Sequence, residues 1–140
     1  MIKKIIAKLS KYINIEDIKK HFPKFAVVGL SGMAVNQGML FFTKEYIHIP
    51  VKFAGIIAIE TSIITNFLLN NFWTWKESRD NTFLQRLLRY HSVTAVSGVV
   101  NYLVLLSLTA LGIYYILANL IGIGIGMLLN FVFNHIWTFQ

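Results

Sequence analysis

The sequence contains no cysteine, only two prolines and few charged residues among its 140 positions. Without cysteine the chain cannot form disulfides, thiolate nucleophiles or cysteine-ligated metal sites. Charged residues make up 14% of the chain, whereas a soluble domain carries about a quarter. Because apolar residues make up 56%, the composition predicts a membrane protein with little material for a soluble domain.

Four apolar segments are long enough to cross a bilayer, which takes roughly 20 helical residues. They are Lys24 to Thr43, Val51 to Trp73, Tyr90 to Leu111 and Tyr114 to Trp137. The sequence therefore predicts an all-α, multi-pass protein of the cytoplasmic membrane. Pro23 and Pro50 each precede an apolar run and are expected to mark helix starts, where the missing backbone donor has no cost.

A ten-residue string occurs twice, as Asn66 to Trp75 and again 64 residues later as Asn130 to Phe139. Both copies close an apolar run, and they share Asn, Phe, Asn, Trp and Thr at matching positions. A long fixed period indicates a duplicated structural module. We therefore predict two helical hairpins, with repeat one at residues 24–75 and repeat two at residues 89–139.

Lysine and arginine are concentrated before the first apolar segment and between the second and third. The positive-inside rule then predicts that both termini are cytoplasmic. Two hairpins that start on the same side are parallel repeats, related by an axis along the membrane normal.

Residues 1–21 form a separate basic segment in which isoleucines fall at helical spacing, opposite the lysines. This pattern predicts an amphipathic helix lying in the headgroup layer of anionic lipids. A basic tail that orders only against lipid is the alternative. The basic residues adjoin apolar spans and form no soluble patch, so nucleic acid is not an expected partner.

The loop and the helix ends carry further signals. Between spans two and three, residues 83–89 have the spacing of a short interfacial helix, and Gly112 predicts a tight turn between spans three and four. Tryptophan prefers the membrane interface, and the interface aromatics are expected to be Trp73, Trp75 and Trp137.

Glu60 is expected near the middle of the hydrocarbon, because it lies ten residues after Pro50 and a helix rises about 1.5 Å per residue. An ionised side chain there costs at least about 2.5 kcal/mol. It should therefore face the bundle interior or a wet cavity, where it could carry a proton. The alternative is a protonated side chain that only joins neighbouring helices.

Asparagines recur near both copies of the string, and amides can both donate to and accept from sugar hydroxyls. With Glu60 they predict a polar, substrate-binding cavity open toward the cytoplasm; interhelical hydrogen bonding is the alternative reading. The predicted substrate-binding amides are Asn36, Asn66, Asn70, Asn101, Asn130 and Asn134. The four histidines have no metal-binding spacing, so we expect no metal and no cofactor. No catalytic motif is present, and we expect the chain not to be an enzyme.

The sequence resembles the GtrA-like family of small four-span membrane proteins. The resemblance covers residues 22–140 and rests on the doubled Asn-Phe-x2-Asn-x2-Trp-Thr-aromatic string, together with Phe25, Gly29, Gly32 and Asn36 at the start of the first copy. It implies translocation of a polyprenyl-phosphate-linked monosaccharide for glycosylation of cell-surface polymers. Asn71 and His135 stand where the family commonly has a basic residue.

Three arginines of the cytoplasmic loop could attract the phosphate instead, because guanidinium groups match phosphate oxygens. They are Arg79, Arg86 and Arg89. Two other functions stay open. Some members of the family resemble membrane anchors or stabilisers of a polyprenyl-phosphate glycosyltransferase, and proton-coupled exporters of small drugs also have four spans and one membrane glutamate. Four short helices enclose little room, so a homodimer is possible.

Overall fold

The computed structural model describes residues 14–77 and 80–139. The described residues form four long helices, each long and apolar enough to cross a membrane. These are α1 (Ile15–Glu45), α2 (Val51–Leu69), α3 (Phe83–Ala110) and α4 (Tyr115–Phe133). The predicted all-α membrane fold is confirmed.

The chain divides into two compact units. Hairpin one contains α1 packed along α2, and hairpin two contains α3 packed along α4. Each hairpin contains one copy of the repeated sequence. The first helix of each pair is the longer one, with 31 residues in α1 and 28 in α3, against 19 in both α2 and α4.

Helix α1 begins earlier than predicted. Asn14 caps it by accepting a hydrogen bond from the backbone N–H of Glu16 at 3.1 Å, and acidic residues occupy the first turn, where they complement the helix dipole. Pro23 lies inside the helix, so the prediction that it marks the start was wrong. Pro50 does directly precede α2. Most of the predicted amphipathic segment, residues 1–13, lies outside the described residues.

Residues 83–89 are the first two turns of α3 and do not form a separate interfacial helix. Thr82 caps α3 through a capping box, in which its hydroxyl accepts from the N–H of Gln85 and the Gln85 side chain accepts from the N–H of Thr82. At the other end, Gly112 has a φ of 86°. This left-handed conformation suits glycine and makes the tight turn into α4 that the sequence predicted.

Each hairpin closes in a short π-helical segment that the sequence analysis did not foresee. The first π segment is Asn70–Thr74 and the second is Asn134–Thr138. The N–H of Trp75 donates to the carbonyl of Asn70 at 2.8 Å, and the N–H of Phe139 donates to that of Asn134 at 3.0 Å. The duplicated string therefore encodes a widened last turn. We call the end of each hairpin that holds its π segment the π end.

Candidate functional site

The polar side chains of the π segments are buried, with Asn70, Thr74, Asn134 and Thr138 all 0% exposed. Asn70 Oδ1 accepts a hydrogen bond from the Thr74 hydroxyl at 2.8 Å. In hairpin two the Asn134 amide instead donates to Asn130 Oδ1. Both hydrogen bonds join residues four apart on one helix, so these asparagines hold the π segments in shape.

An aromatic cluster packs beneath each π segment. In hairpin one, Trp75 is 2% exposed, stacks on His21 at 5.8 Å between ring centroids and meets the edge of Phe25 at 5.9 Å. Tyr90 and Phe139, at the matching positions of hairpin two, meet edge to face at 6.2 Å. The π turn directs the Trp75 ring into the core of hairpin one, and its position at the membrane interface stays a prediction.

The Asn66 amide fills a notch over Gly32, where α2 packs on α1. A β-carbon built on Gly32 would lie 2.6 Å from Asn66 Cγ, so only glycine leaves room for the amide. This contact is interhelical packing within hairpin one.

Hairpin two uses different residues for the same kind of contact. A β-carbon on Gly122 would lie 2.8 Å from the backbone oxygen of Asn101, and one on Gly126 would lie 3.1 Å from that of Ser97. These two glycines of α4 let its backbone approach α3 closely, as the small-xxx-small spacing predicts. Gly124 between them has nothing within 4 Å.

A polar stripe on α3, made of Thr94, Ser97 and Asn101, follows the spacing of one helix face. Ser97 is 4% exposed. Among the described residues, no hydrogen-bond partner is found for the buried oxygens Thr94 Oγ1, Ser97 Oγ and Asn101 Oδ1. Buried polar atoms are usually paired, so these three oxygens are an exception in the part of the chain that the structure describes.

The remaining predicted amides, Asn36 on α1 and Asn130 on α4, are partly buried. Asn36 occupies the repeat position that Asn101 holds on α3, and the second hairpin has Gly122 where the first has Ala58. The glycine that lets α4 approach Asn101 therefore has no glycine counterpart at the matching position of hairpin one.

Glu60 lies on the outer face of hairpin one. Ala54 and Ala58 of α2 are buried, and Glu60 follows Ala58 by two residues, which carries it to the other side of a helix with 3.6 residues per turn. It is exposed, and Ile56 and Ile64, one turn to either side, are 63% and 40% exposed. Glu60 therefore lies away from α1, and the expectation that it faces the bundle interior or a wet cavity stays a prediction.

The three loop arginines have different surroundings. Arg79 lies outside the described residues. Arg86 is 5% exposed and donates to the backbone carbonyl of Asn81, so it holds the start of hairpin two. Arg89 is less buried, and its Nη1 donates to the carbonyl of Trp137 at 2.8 Å.

A cation lies over a tryptophan at each π end. The Arg89 guanidinium carbon is 5.3 Å from the centroid of the Trp137 ring, and Lys24 Nζ is 5.7 Å from that of Trp73. Both distances are within cation–π range. Sequence reasoning missed these pairs, although Lys24 and Arg89 each directly precede the aromatic residue that opens a repeat.

An ion pair joins the start of α1 to the residues that follow the first π segment. Lys20 Nζ lies 2.8 Å from Glu77 Oε1. The hydrogen bond from Lys20 is the main reason that the pKa of Glu77 falls to about 2. Both side chains are half exposed, so the pair contributes little to stability in water.

The chain is similar in sequence to one protein family and to two known proteins. Residues 24–139 match the family described as "GtrA/DPMS, transmembrane domain". The chain is 41% identical over 111 residues to a dolichol-phosphate mannosyltransferase of Pyrococcus furiosus, a match that covers 79% of this chain and 31% of that protein. It is also 22% identical over 131 residues to the uncharacterized membrane protein YngA of Bacillus subtilis, covering 92% of this chain and 86% of that protein.

The chain thus spans about a third of the length of the mannosyltransferase that it matches. The family match begins within α1 and includes the other three membrane helices and both π segments. The chain therefore belongs to the GtrA/DPMS transmembrane-domain family, which is associated with polyprenyl-phosphate sugars.

Proposed function

We propose that this protein translocates a polyprenyl-phosphate-linked monosaccharide across the cytoplasmic membrane, for glycosylation of cell-surface polysaccharides. The observation that carries the proposal is the family match, which extends over both hairpins and hence over nearly the whole chain. In this proposal the protein performs no covalent chemistry, and both termini are cytoplasmic.

The polar stripe of hairpin two supports a sugar path within the membrane. Its buried oxygens lack partners among the described residues, and an unpaired polar atom in an apolar surrounding costs about 1–3 kcal/mol. Sugar hydroxyls would donate to these oxygens and recover that cost. The partly buried amides of Asn36 and Asn130 would add donors and acceptors along the path, while Asn70 and Asn134 would hold the π ends in shape.

The phosphate requires a cation, and the Arg89–Trp137 pair at the π end of hairpin two supports its place there. Arg89 lies at the end that the positive-inside rule assigns to the cytoplasm. A lipid-linked sugar made in the cytoplasm would reach this end first. The proposal includes two copies of the chain, because four helices offer little room for a sugar phosphate.

Transport is tested in vesicles reconstituted with the purified protein and a labelled polyprenyl-phosphate sugar. A membrane-impermeant enzyme that cleaves the sugar reports how much lipid has reached the outer leaflet. We expect a rate that rises with the amount of protein. Equal rates in vesicles with and without protein would exclude the proposal.

Glu60 needs its own test, because it lies on the outer face of hairpin one. We expect Glu60→Gln to keep most of the transport rate, whereas a carboxylate that carried protons in the path would make the rate fall. Rates measured between pH 5 and pH 8 on the same vesicles distinguish the two roles, since proton coupling would also remove the pH dependence in the variant.

A second candidate function is a membrane anchor for a polyprenyl-phosphate glycosyltransferase. It is favoured by the 41% identity to part of a dolichol-phosphate mannosyltransferase. An anchor would co-purify with a separate synthase and raise its activity, but it would leave the rate in vesicles at the background. The drug-exporter alternative receives no support from the family match.

A further inference from the structure

An apolar groove of about 490 Å³ opens at the π end of hairpin two. Its walls are Ser92, Val93 and Val96 of α3 with Phe133, Ile136 and Trp137 of α4 and the second π segment. Known ligand pockets measure about 300–1,000 Å³, so the groove has the size of a binding site.

The lining of the groove suits an apolar occupant. Five of its six lining residues are hydrophobic, and the Ser92 hydroxyl already donates to the carbonyl of Leu88 at 3.0 Å. In a bilayer, however, lipid tails are as apolar as the groove, so burial alone gives little preference for one chain over another. A specific occupant must be recognised by its polar end.

Arg89 provides that recognition at the rim of the groove. Its guanidinium lies over the Trp137 ring, which forms one wall, and one of its N–H groups is held by the Trp137 carbonyl. A guanidinium has five N–H donors in a planar fork. The carbonyl orients this fork and leaves donors for two phosphate oxygens, a geometry that favours a phosphate over a neutral head group.

We propose that this groove holds the first isoprene units of the polyprenyl phosphate and that Arg89 binds its phosphate. This inference rests on the proposed function and names the binding site for its substrate. In a prenyl phosphate the single chain is attached directly to the phosphate. From Arg89 to Val96 is about 10 Å along α3, so a chain leaving a phosphate at Arg89 enters the groove at once.

An ordinary anionic phospholipid fits this arrangement less well. It carries two chains, and a glycerol group separates them from the phosphate, so the polar linkage would fall among the apolar walls. Burying such polar groups without hydrogen bonds is unfavourable. We therefore expect the site to bind a single-chain lipid phosphate in preference to a two-chain phospholipid.

Hairpin one supplies a matched control. Lys24 occupies the repeat position of Arg89 and lies over Trp73. Its ammonium is a point charge without a fork. Replacing Lys24 with a neutral residue removes one positive charge at the π end of hairpin one, just as replacing Arg89 does in hairpin two. The inference is supported only if lipid binding is lost in the Arg89 variant and kept in the Lys24 variant.

The test uses the full-length protein in phosphatidylcholine nanodiscs and a short-chain prenyl phosphate with a photoreactive diazirine on its first isoprene unit. Mass spectrometry locates the crosslinked residues. We expect label on the groove-lining residues and about a tenfold loss of labelling in Arg89→Gln, because hydrogen bonds to charged groups contribute about 1.5–3 kcal/mol. Lys24→Gln should retain at least half of the labelling, and Arg89→Lys should be intermediate.

Competition identifies the recognised lipid. Unlabelled prenyl phosphate should displace the probe, whereas equal amounts of the prenyl alcohol or of phosphatidylglycerol should not. Displacement by phosphatidylglycerol would overturn the inference in favour of a general anionic-lipid site. Displacement by the alcohol, which has no phosphate, would refute the proposed binding of the phosphate by Arg89.

Filling the groove gives an independent check. Val96 is 53% exposed, and Val96→Trp should abolish labelling, whereas Leu103→Trp, at a position 54% exposed on the same helix, should not. If Val96→Trp fails to fold, the Arg89 and Lys24 variants decide. Labelling spread equally over both hairpins in a protein that still transports would refute this site alone, whereas groove labelling without transport would refute only the proposed function.

Discussion

Replacing Gly122 with alanine adds a methyl group where α4 packs against Asn101. The added β-carbon would lie 2.8 Å from the backbone oxygen of Asn101. A backbone carbonyl cannot rotate away as a side chain can, so the two helices must separate locally. Overpacking of this kind costs about 1–3 kcal/mol. Alanine also gains about 1 kcal/mol over glycine in helix propensity, so the net loss should be about 0–2 kcal/mol.

The Gly124→Ala variant separates the steric cost from the gain in helix propensity. Gly124 lies on the same helix and has nothing within 4 Å of its would-be β-carbon, so it should show the propensity gain without the clash. The difference between the two variants is then the steric cost, about 1–3 kcal/mol. Titration with sodium dodecyl sulfate in mixed micelles, followed by tryptophan fluorescence, measures both free energies of unfolding. Equal values would refute the close approach of α3 and α4 at Gly122.

Two further predictions concern the π end of hairpin one and its surroundings. Thr74→Val removes the hydrogen bond to Asn70 and should lower the free energy of unfolding by about 0.5–1.5 kcal/mol. Thr138→Val, its counterpart in the repeat, should cost less in the same titration, because no partner for the Thr138 hydroxyl is found among the described residues. The depressed pKa of Glu77 means that its ion pair stabilises the fold above the ordinary carboxyl pKa and that this contribution is lost as the pH falls toward 2. Carboxyl chemical shifts measured by NMR should follow this low value, and Lys20→Ala should raise the pKa of Glu77 toward its ordinary value; no change in Lys20→Ala would contradict the pairing.

The helices and the turn at Gly112 could be predicted from sequence because long apolar runs and glycine leave few choices for the backbone. The prediction for Pro23 was wrong because α1 starts upstream of it, at the turn that Asn14 caps, and continues through the proline. The π segments could not be predicted, since the asparagine and threonine spacing of the repeated string also fits an ordinary α-helix.

The candidate site was harder to predict than the fold. Helical spacing places Asn66 on one face of α2 but does not say whether a glycine of α1 makes room for its amide. Glu60 was expected inside because charge is costly in lipid, yet the small residues Ala54 and Ala58 determine which face of α2 packs on α1. Arg86 and Arg89 lie three residues apart, and only the folded hairpin distinguishes the buried guanidinium from the one at the rim of the groove.

The transport rate of the Ser97→Ala variant tests most directly whether the polar stripe contacts the sugar. The Ser97 hydroxyl is buried without a partner among the described residues, so its removal should leave the stability unchanged or raise it. If the hydroxyl contacts the sugar, the rate in vesicles should fall about fivefold. Ser62→Ala, which removes a hydroxyl bonded to the carbonyl of Ile59, should transport normally. An unchanged rate in Ser97→Ala would mean that the stripe only packs the helices together, and would contradict the account.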